Sequence, residues 1–434
     1  MAAGYFAAGK VQEKATFELF VRRLPANRNY LIAAGLEQAA AYLQSFRFSE
    51  DEIRYLRGLA QLRHAPAEFF DYLRDLRFTG DVFAVAEGTP VFPGEPILTI
   101  RAPIIEAQIP ETYLLAAVSF QSLIATKASR VVQSAGGRPV VEFGTRRAHS
   151  PQAGTLAARA AYVGGCAGTS NLLAGMRYGV PVFGTAAHSW TQAFPSEIES
   201  FRKLQELLGE QTVLLIDTYD TLEGARRAAA VGKPLWGVRL DSGDLGQLSR
   251  DVRAILDQAG LQDVKIMASG DLNEYKIRDL LHAGAPVDAF GVGTDLATSL
   301  DAPSLAAVYK MVEVRSGGRP RFTAKFSENK ATYGAPKQVF RFADRDVIGC
   351  TWECISCGGG TEALLRPLML QGEIVDPPVP GAQAARERAR ECLGKLPAHL
   401  MALETSTKPW NIELSEELLE VNQKLREAQQ AGGA

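Results

Sequence analysis

One pattern dominates the middle of the chain, from about residue 112 to about residue 300: a short apolar run, a polar or glycine-rich segment, and then an amphipathic helix. Strands that alternate with helices in this way are typical of a parallel sheet. The pattern is carried by six apolar runs: Pro139 to Phe143, Val180 to Phe183, Thr212 to Ile216, Leu235 to Leu240, Val264 to Ala268 and Val287 to Phe290. It predicts an α/β fold.

The segments that follow these runs, called strand-end segments below, hold most of the residues that could do chemistry. They are Gly144-Thr-Arg-Arg147, Gly184-Thr-Ala-Ala-His188, Asp217-Thr-Tyr-Asp220, Asp241-Ser-Gly-Asp244, Ser269-Gly-Asp271 and Gly291-Val-Gly-Thr294. All strands of a parallel barrel end on one face, which holds the active site, whereas a doubly wound sheet gathers only the segments near its switch point. Six such segments therefore favour a barrel, and we expect them to surround one pocket.

The sequence on either side of this region is different. Amphipathic helices and short β-rich runs mix before Pro110, β-rich sequence returns after Pro320, and the end of the chain is charged. We predict an N-terminal α+β domain at residues 1–115, the barrel at 116–318, a β-rich return to the N-terminal domain at 319–383 and a helical tail at 384–434.

Composition excludes several classes of protein. The 47 basic and 49 acidic residues give a formal charge of −2, so we expect no nucleic-acid partner. The longest apolar stretch, Leu114 to Ala125, contains Ser119 and Gln121 and is too short to cross a bilayer, so we expect no membrane partner. The first residues lack the pattern of a secretory signal, and five cysteines are few and odd in number. We therefore expect a cytoplasmic protein.

Basic, acidic and glycine-rich segments in one pocket suit a phosphorylated substrate. Arg146 and Arg147 can form paired hydrogen bonds to phosphate or carboxylate. Asp241 and Asp244 can hold sugar hydroxyls, or Mg²⁺ through water. The backbone amides of Gly270 and of Gly293-Thr294 can hold a phosphate. Each motif alone also has a structural explanation: a surface ion pair, a turn with a helix cap, or a tight turn.

His188 is our first choice among the five histidines because it follows a predicted strand rather than occupying a helix face. A structural histidine is the alternative explanation, and His149 is a second candidate.

Other motifs point elsewhere but fit poorly. The Cys350-x3-Cys354-x2-Cys357 spacing is used for iron–sulfur clusters, but here it lies after the barrel. The run from Val213 to Gly224 is similar to the phosphoribosyl-pyrophosphate loop of the type I transferases, but it lacks the second acid and its Thr-Gly pair is broken. Neither a GxxxxGK[ST] nor a GxGxxG motif is present.

Read together, the strand-end segments resemble those of the nicotinate phosphoribosyltransferase family. The resemblance is carried by Glu142-Phe-Gly-Thr-Arg-Arg-Ala148, Gly184-Thr-Ala-Ala-His-Ser-Trp190, Val238-Arg-Leu-Asp-Ser-Gly-Asp-Leu245, Ser269-Gly-Asp271 and Phe290-Gly-Val-Gly-Thr294. Further matches run in order from about Gly4 to about Pro367.

The resemblance implies a type II phosphoribosyltransferase: an irregular, TIM-like parallel α/β barrel with an α+β sandwich domain built from the N-terminal part and later strands. It implies the formation of nicotinate mononucleotide and pyrophosphate from nicotinate and phosphoribosyl pyrophosphate, coupled to ATP hydrolysis, in NAD salvage. Mg²⁺ is implied as a further cofactor, with no dedicated protein metal site, and the enzyme is expected to be a homodimer with shared active sites.

The family pattern also implies roles for individual residues. His188 would be phosphorylated by ATP and act in catalysis together with Arg239 and Asp241. The remaining residues would bind substrate: Phe143 on the pyridine ring, Arg146 and Arg147 near the ring and phosphates, Gly270, Gly293 and Thr294 on the 5′-phosphate, and Ser170, Asp244 and Ser269 nearby.

Two further expectations concern the pyridine ring. Nicotinamide-using relatives place an aspartate in the segment that matches Gly168-Thr-Ser-Asn171, and this chain has no acid there, which favours nicotinate. Family members also carry a Thr-Asp-x-Tyr segment before the position of Met1, and its tyrosine covers the ring from the partner subunit. We expect either that translation starts upstream of Met1, or that one face of the bound pyridine ring is less covered. The second case would weaken binding of the ring by about 0.5–1.5 kcal/mol.

Two alternatives to nicotinate phosphoribosyltransferase stay open at this point. One is a nicotinamide or quinolinate phosphoribosyltransferase on the same fold. The other is a non-catalytic nucleotide-binding homologue.

Overall fold

The computed structural model describes residues 1–328, 330–355, 361–375 and 381–432. The α-helices are α1 Ala2–Ala7, α2 Leu36–Gln44, α3 Glu50–Arg57, α4 Ala67–Asp75, α5 Ile104–Gln108, α6 Glu111–Ser134, α7 Pro151–Val163, α8 Leu172–Tyr178, α9 His188–Gln192, α10 Glu197–Leu208, α11 Thr221–Val231, α12 Leu245–Gln258, α13 Glu274–His282, α14 Thr294–Thr298, α15 Ala382–Lys395, α16 Ala398–Met401 and α17 Glu416–Gln430. Single 3₁₀ turns lie at Ala60–Leu62, Thr145–Arg147 and Gly209–Gln211.

The strands are β1 Lys14–Val21, β2 Leu31–Ile32, β3 Asp81–Ala84, β4 Pro90–Val91, β5 Pro96–Pro103, β6 Val140–Glu142, β7 Gly168–Thr169, β8 Val213–Leu215, β9 Gly237–Leu240, β10 Lys265–Ala268, β11 Ala289–Val292, β12 Ala307–Ser316, β13 Arg319–Phe322, β14 Lys337–Arg341, β15 Arg345–Cys350, β16 Glu362–Ala363, β17 Arg366–Leu370, β18 Glu373–Ile374 and β19 Asn411–Leu414. The chain forms two compact units. The first comprises 1–122, 304–381 and 391–434, and the second comprises 123–303 and 382–390.

The second unit contains one parallel sheet of six strands in the order β7-β6-β11-β10-β9-β8. This confirms the parallel α/β fold. The run from Val180 to Phe183 is not a full strand, because within the described residues it pairs through a single bridge between Val182 and Thr169. The Pro181 carbonyl accepts from the Thr169 amide and the Phe183 amide donates back to Thr169, so the contact spans a single residue.

The helices of this unit begin and end at residue types that are typical of helix termini. Ser196 and Asp220 accept hydrogen bonds from the amides three residues on, at the starts of α10 and α11. Gly260 and Gly284 adopt positive φ angles of 75° and 69° just after α12 and α13. The helices cover an apolar core around strands β8, β9 and β10, which includes Leu214, Val238 and Ile266.

The first unit is built on a seven-stranded antiparallel sheet in the order β13-β12-β1-β5-β3-β17-β18. Strand β1 lies between β5 and β12, so strands from the start of the chain and strands that follow the parallel sheet share one sheet. A four-stranded sheet, β16-β14-β15-β19, contributes Val339 and Ile348 to the same apolar core. The expectation of an α+β part completed by later strands is therefore confirmed.

Two details refine the sequence-based expectation. Among the amphipathic helices before Pro110, α3 ends at Arg57, and a separate 3₁₀ turn follows at Ala60–Leu62. The tail is not wholly helical, because β19 pairs in parallel with β15. Among the described residues, no helix is both long enough and apolar enough to cross a membrane.

Candidate active site

Four of the six strand-end segments line one polar cavity of about 220 Å³ at the carboxyl ends of β6, β9, β10 and β11. The cavity is lined by Phe143, Arg146, Arg147, Arg239, Asp241, Ser269, Gly270, Asp271, Gly291, Gly293 and Thr294. Parallel strands that end at one edge bring together residues far apart in the chain. The expectation of a shared pocket is confirmed for these four segments.

Arg239, the third residue of β9, connects three of the segments. Its guanidinium donates to Asp241 Oδ1 at 2.6 Å, to Ser269 Oγ at 2.8 Å and to Thr185 Oγ1 at 2.7 Å. The same group lies over the ring of Phe143, with 5.5 Å between Cζ and the ring centroid. Because five donors diverge from one planar group, a single arginine fixes the relative positions of these side chains.

The remaining two segments join the site through hydrogen bonds. His188, the first residue of α9, has Nδ1 3.2 Å from Thr218 Oγ1 and Nε2 4.0 Å from Asp241 Oδ2. Asp217 Oδ2 accepts from the Asp241 amide at 3.0 Å and from Ser242 Oγ at 2.6 Å. All six strand-end segments therefore contribute to one connected site, and the imidazole is close to the Asp241 carboxylate.

Two glycines are required by close approach. Gly270 has φ = 94°, and a Cβ there would lie 2.1 Å from the carbonyl oxygen of Asp241. A Cβ on Gly291 would lie 2.6 Å from the ring of Phe143. A side chain at either position would displace backbone or the aromatic ring. Among the described residues, no backbone carbonyl accepts from the amides of Gly270, Asp271 or Gly293, so these donors are available to an anion.

Phe143 also borders a second, apolar cavity of about 870 Å³ within the second unit. This cavity runs along the strands from Pro139 and Trp236, at their amino ends, to Phe143 and the Gly184 to Ala187 segment. The ring of Phe143 thus separates a polar compartment from an apolar one. A planar heteroaromatic ring that carries a charge suits this boundary, because its face can stack while its charge stays on the polar side.

Glu142 shapes the turn beneath the site. Its carboxylate accepts from the Gly144 amide and, at 2.6 Å, from the Thr169 hydroxyl. Burial raises the pKa of Glu142, although these two hydrogen bonds oppose the shift. The carboxylate therefore joins the β6 turn to the segment that holds Ser170, whose amide donates to the Glu142 carbonyl at 3.1 Å.

Some expected residues lie away from the cavity wall. Asp244 caps α12, accepting from the Gln247 amide at 3.0 Å. Ser170 is exposed, and His149 is an exposed residue beyond the Arg147 turn. None of these three is among the residues that line the polar cavity, and their proposed roles stay predictions.

The cysteine motif is only partly visible. Cys350 is buried and Cys354 exposed, both as free thiols, and Cys357 lies outside the described residues. In the described part of the chain, no group of three or more His, Cys, Asp or Glu residues is placed to hold a metal ion.

Four residues of the site were not predicted from the sequence: Asp217, Thr218, Thr185 and Glu142. The first three belong to strand-end segments, so the rule that selected His188 and Asp241 could have found them. Glu142 is the last residue of β6 and gives no such signal, because its role depends on the turn it stabilises.

Arginines, carboxylates and free backbone amides at the carboxyl ends of a parallel sheet define an enzyme that binds a phosphorylated small molecule. Residues 1–119 match the family model of the nicotinate phosphoribosyltransferase N-terminal domain, and residues 124–303 match the quinolinate phosphoribosyl transferase C-terminal domain. A nicotinate phosphoribosyltransferase of Mycobacterium tuberculosis is 44% identical over 442 residues, covering 99% of this chain and 93% of that protein. The chain belongs to the nicotinate phosphoribosyltransferase family.

Solved structures agree with this assignment. The crystal structure of human nicotinic acid phosphoribosyltransferase matches with a TM-score of 0.85 and 28% identity, covering 98% of each chain. The crystal structure of nicotinate-nucleotide pyrophosphorylase from Pyrococcus furiosus matches with a TM-score of 0.73 and 29% identity, covering 91% of this chain and 92% of that one.

Proposed function

We propose that this enzyme forms nicotinate mononucleotide and pyrophosphate from nicotinate and phosphoribosyl pyrophosphate, in NAD salvage, and that it couples this reaction to ATP hydrolysis. The observation that carries the proposal is the position of Arg239. One guanidinium contacts Asp241 and Ser269 and lies over the Phe143 ring. A ring site, a sugar-binding acid and a phosphate-binding segment are thereby held in one arrangement.

The geometry suits displacement at an anomeric carbon. Phe143 offers a face for the pyridine ring, and the amides near Gly270, Gly293 and Thr294 face the same cavity as candidates for the 5′-phosphate. Arg146 and Arg147 line the same cavity and can neutralise the departing pyrophosphate. The enzyme then accelerates the reaction by holding the nucleophile and sugar together and by stabilising charge.

The donor set also suits Mg²⁺. Asp217 Oδ1 is buried and has no hydrogen-bond partner among the described residues, while Oδ2 is occupied by two donors. Mg²⁺ takes few protein carboxylates and completes its shell with phosphate oxygens and water. We propose Asp217 and Asp241 as its protein contacts. Bound there, Mg²⁺ would neutralise charge on the diphosphate.

His188 is the proposed site of phosphorylation by ATP. Its Nδ1 faces the Thr218 hydroxyl, and its Nε2 is 4.0 Å from Asp241, beyond direct hydrogen-bond distance. A nitrogen close to the sugar-binding acid can accept a phosphoryl group and place new negative charge beside the reacting centre. Arg239, which pairs with Asp241 at 2.6 Å, is a cation on the same carboxylate and can stabilise that charge.

The proposed preference for nicotinate follows from local charge. The nearest acid to the Gly168 to Asn171 segment, Glu142, is fully buried and engaged by Gly144 and Thr169. A substrate carboxylate near Ser170 would therefore meet no exposed like charge from these residues.

Assembly as a homodimer is also proposed. Helix α8 exposes Leu172, Leu173 and Met176 by 75%, 38% and 78%, and it begins at Leu172, directly after Ser170 and Asn171. An exposed apolar patch beside an active site, like that formed by Leu172, Leu173 and Met176, is a favourable contact surface for a second copy of the chain. The variant Leu172→Glu/Met176→Glu should lower the molar mass measured by light scattering. Leu207→Glu, on the exposed face of α10, is the matched control and should not.

A cytoplasmic location is proposed from the cysteines. No disulfide joins the described ones, Cys166, Cys350, Cys354 and Cys392, as expected in a reducing compartment.

Substrate identity is tested by offering nicotinate, nicotinamide and quinolinate in parallel. Each is incubated with phosphoribosyl pyrophosphate and Mg²⁺, with and without ATP, and products are identified by mass spectrometry. We expect nicotinate mononucleotide to form from nicotinate, and faster with ATP. Faster turnover of either other pyridine would reassign the substrate, and no turnover of any would favour a non-catalytic homologue.

A further inference from the structure

Lys127, on helix α6, is buried, with 1% of its surface exposed. Its ammonium contacts three carboxylates: Glu274 at 2.7 Å, Asp301 at 3.0 Å and Asp295 at 3.2 Å. Burial by itself lowers the pKa of Lys127, but the three acids outweigh it and the pKa is raised. The lysine is therefore charged and provides the common counter-ion of the cluster.

Two of these acids belong to the segments that line the cavity. Glu274 is the first residue of α13 and lies three residues after Asp271, the end of the Ser269-Gly-Asp271 segment. Asp295 is the second residue of α14 and follows Gly293-Thr294. Lys127 thus connects the two segments whose backbone amides face the cavity, although it does not itself line the wall.

The rest of the cluster reinforces this link. Arg130, one turn along α6, donates to Glu274 Oε1 at 3.1 Å. Asn273 donates to Asp295 Oδ2 at 3.1 Å, which joins the two segments a second time. Lys127 is the cation that contacts all three of the carboxylates named above. Removing it would take a shared counter-ion from Glu274 and Asp295, which lie next to the cavity-lining segments.

We propose that Lys127 is a positioning residue for the 5′-phosphate of phosphoribosyl pyrophosphate. It holds the Gly270 and Gly293 segments at a fixed separation and shields the substrate phosphate from the Asp295 and Glu274 charges. The inference rests on the proposed function, because it assigns the phosphate to this wall. Removing one partner of a buried ion pair is destabilising, because the other charge stays buried without its counter-ion. Here the charges left behind belong to Glu274 and Asp295, so the segments next to them would be displaced.

The test compares Lys127→Met with Lys337→Met. Lys337, in the first unit, is 4% exposed and pairs with buried Glu18 at 2.7 Å, so it controls for the general loss of a buried ion pair. Both variants should unfold at a lower temperature than the wild type. Only Lys127→Met should raise the KM for phosphoribosyl pyrophosphate, by about tenfold or more, while kcat changes less.

A second comparison separates charge from packing. Lys127→Met/Asp295→Asn removes the cation together with one of its counter-ions, and we expect it to recover part of the lost affinity. Lys127→Arg keeps the charge in a different shape and should fold even if Lys127→Met does not. It should raise the KM less than the methionine variant does.

The outcomes distinguish two kinds of failure. If the wild type makes no mononucleotide, the proposed function fails. If the wild type is active but Lys127→Met keeps a KM for phosphoribosyl pyrophosphate within twofold of the wild type, the proposed role of Lys127 is wrong. Should Lys127→Met not fold, the same criterion applies to Lys127→Arg. An equal rise in Lys337→Met would also overturn it.

Discussion

The guanidinium of Arg239 donates to Asp241 Oδ1 at 2.6 Å, and Ser269 Oγ, 2.8 Å from the same guanidinium, donates to the same carboxylate oxygen at 2.6 Å. The Asp241 carboxylate is therefore oriented by two neighbouring strands, β9 and β10. A lysine cannot reproduce this arrangement, because its ammonium is a compact point charge without the planar fork.

We predict that Arg239→Lys lowers kcat/KM by about 10²-fold or more, because charge is retained while the arrangement of donors is lost. Steady-state kinetics with nicotinate as varied substrate provide the measurement. Arg226→Lys, at an exposed ion pair with Glu223 outside the cavity, is the control. Equal effects of the two substitutions would show that the geometry at Arg239 is unimportant.

Gly270→Ala is predicted to damage the site more than a comparable glycine substitution elsewhere. An alanine at this position would have to keep the backbone angle φ = 94°, and its Cβ would displace the Asp241 carbonyl. Gly284→Ala also has positive φ, but it faces open space at the end of α13, so it should cost only about 1 kcal/mol of the free energy of unfolding.

Denaturant unfolding and KM for phosphoribosyl pyrophosphate measure both glycine variants. We expect a larger loss of stability and a raised KM for Gly270→Ala alone. An unchanged KM in a folded Gly270→Ala protein would argue against close approach at this turn.

The free energy of unfolding should depend on pH through Glu95, a fully buried residue of the first unit. Its carboxylate lies 3.8 Å from the Arg341 guanidinium, which also pairs with Asp346. Burial, and then the nearby Asp346 charge, raise the pKa of Glu95 well above its ordinary value of 4.5. The folded protein thus holds this proton more tightly than the unfolded chain does. The stabilisation is full below pH 4.5 and is lost as the pH rises toward the folded pKa.

Glu95→Gln should remove this dependence. The free energy of unfolding of the wild type, measured relative to the variant, should fall with rising pH by at most about 1.4 kcal/mol per pH unit. Denaturant unfolding at several pH values provides the measurement. Glu68→Gln, at an exposed residue of α4, should leave the profile unchanged, and parallel profiles for the wild type and Glu95→Gln would contradict the prediction.

Thiol reactivity should follow burial. Burial raises the pKa of Cys350 to about 12 and raises that of Cys166 as well, whereas Cys354 is exposed. Since the thiolate is the reactive form, we predict that Cys354 reacts first with an aromatic disulfide reagent at pH 8. The experiment uses a Cys357→Ser background. If Cys354→Ser does not remove the fast phase, the assignment is wrong.

The parallel sheet could be predicted because its strands are short, apolar and separated by capped helices. The antiparallel sheet was harder to foresee. Strand β1 is buried on both faces apart from its first residue, and it includes Thr16 and Glu18. The usual alternation of buried apolar and exposed polar residues is therefore missing from β1. Glu18 is tolerated there because Lys337, distant in the sequence, pairs with it.

The site was predictable to a similar extent. Residues that follow a strand, such as His188 and Asp241, are visible as polar breaks after apolar runs. Their partners are not, because a hydrogen bond such as that from Arg239 to Thr185 depends on the order of strands in the sheet. Lys127 lies within a long helix, where sequence alone gives no reason to separate it from other lysines.

The coupling of ATP hydrolysis to mononucleotide formation is the measurement to make on His188. Wild type, His188→Ala and His149→Ala are each incubated with ATP, nicotinate and phosphoribosyl pyrophosphate, and phosphate release and product are followed together. We predict that nicotinate stimulates ATP hydrolysis in the wild type and in His149→Ala, and that His188→Ala loses this stimulation. Stimulated hydrolysis in His188→Ala equal to that of the wild type would contradict the assignment of the phosphorylated residue.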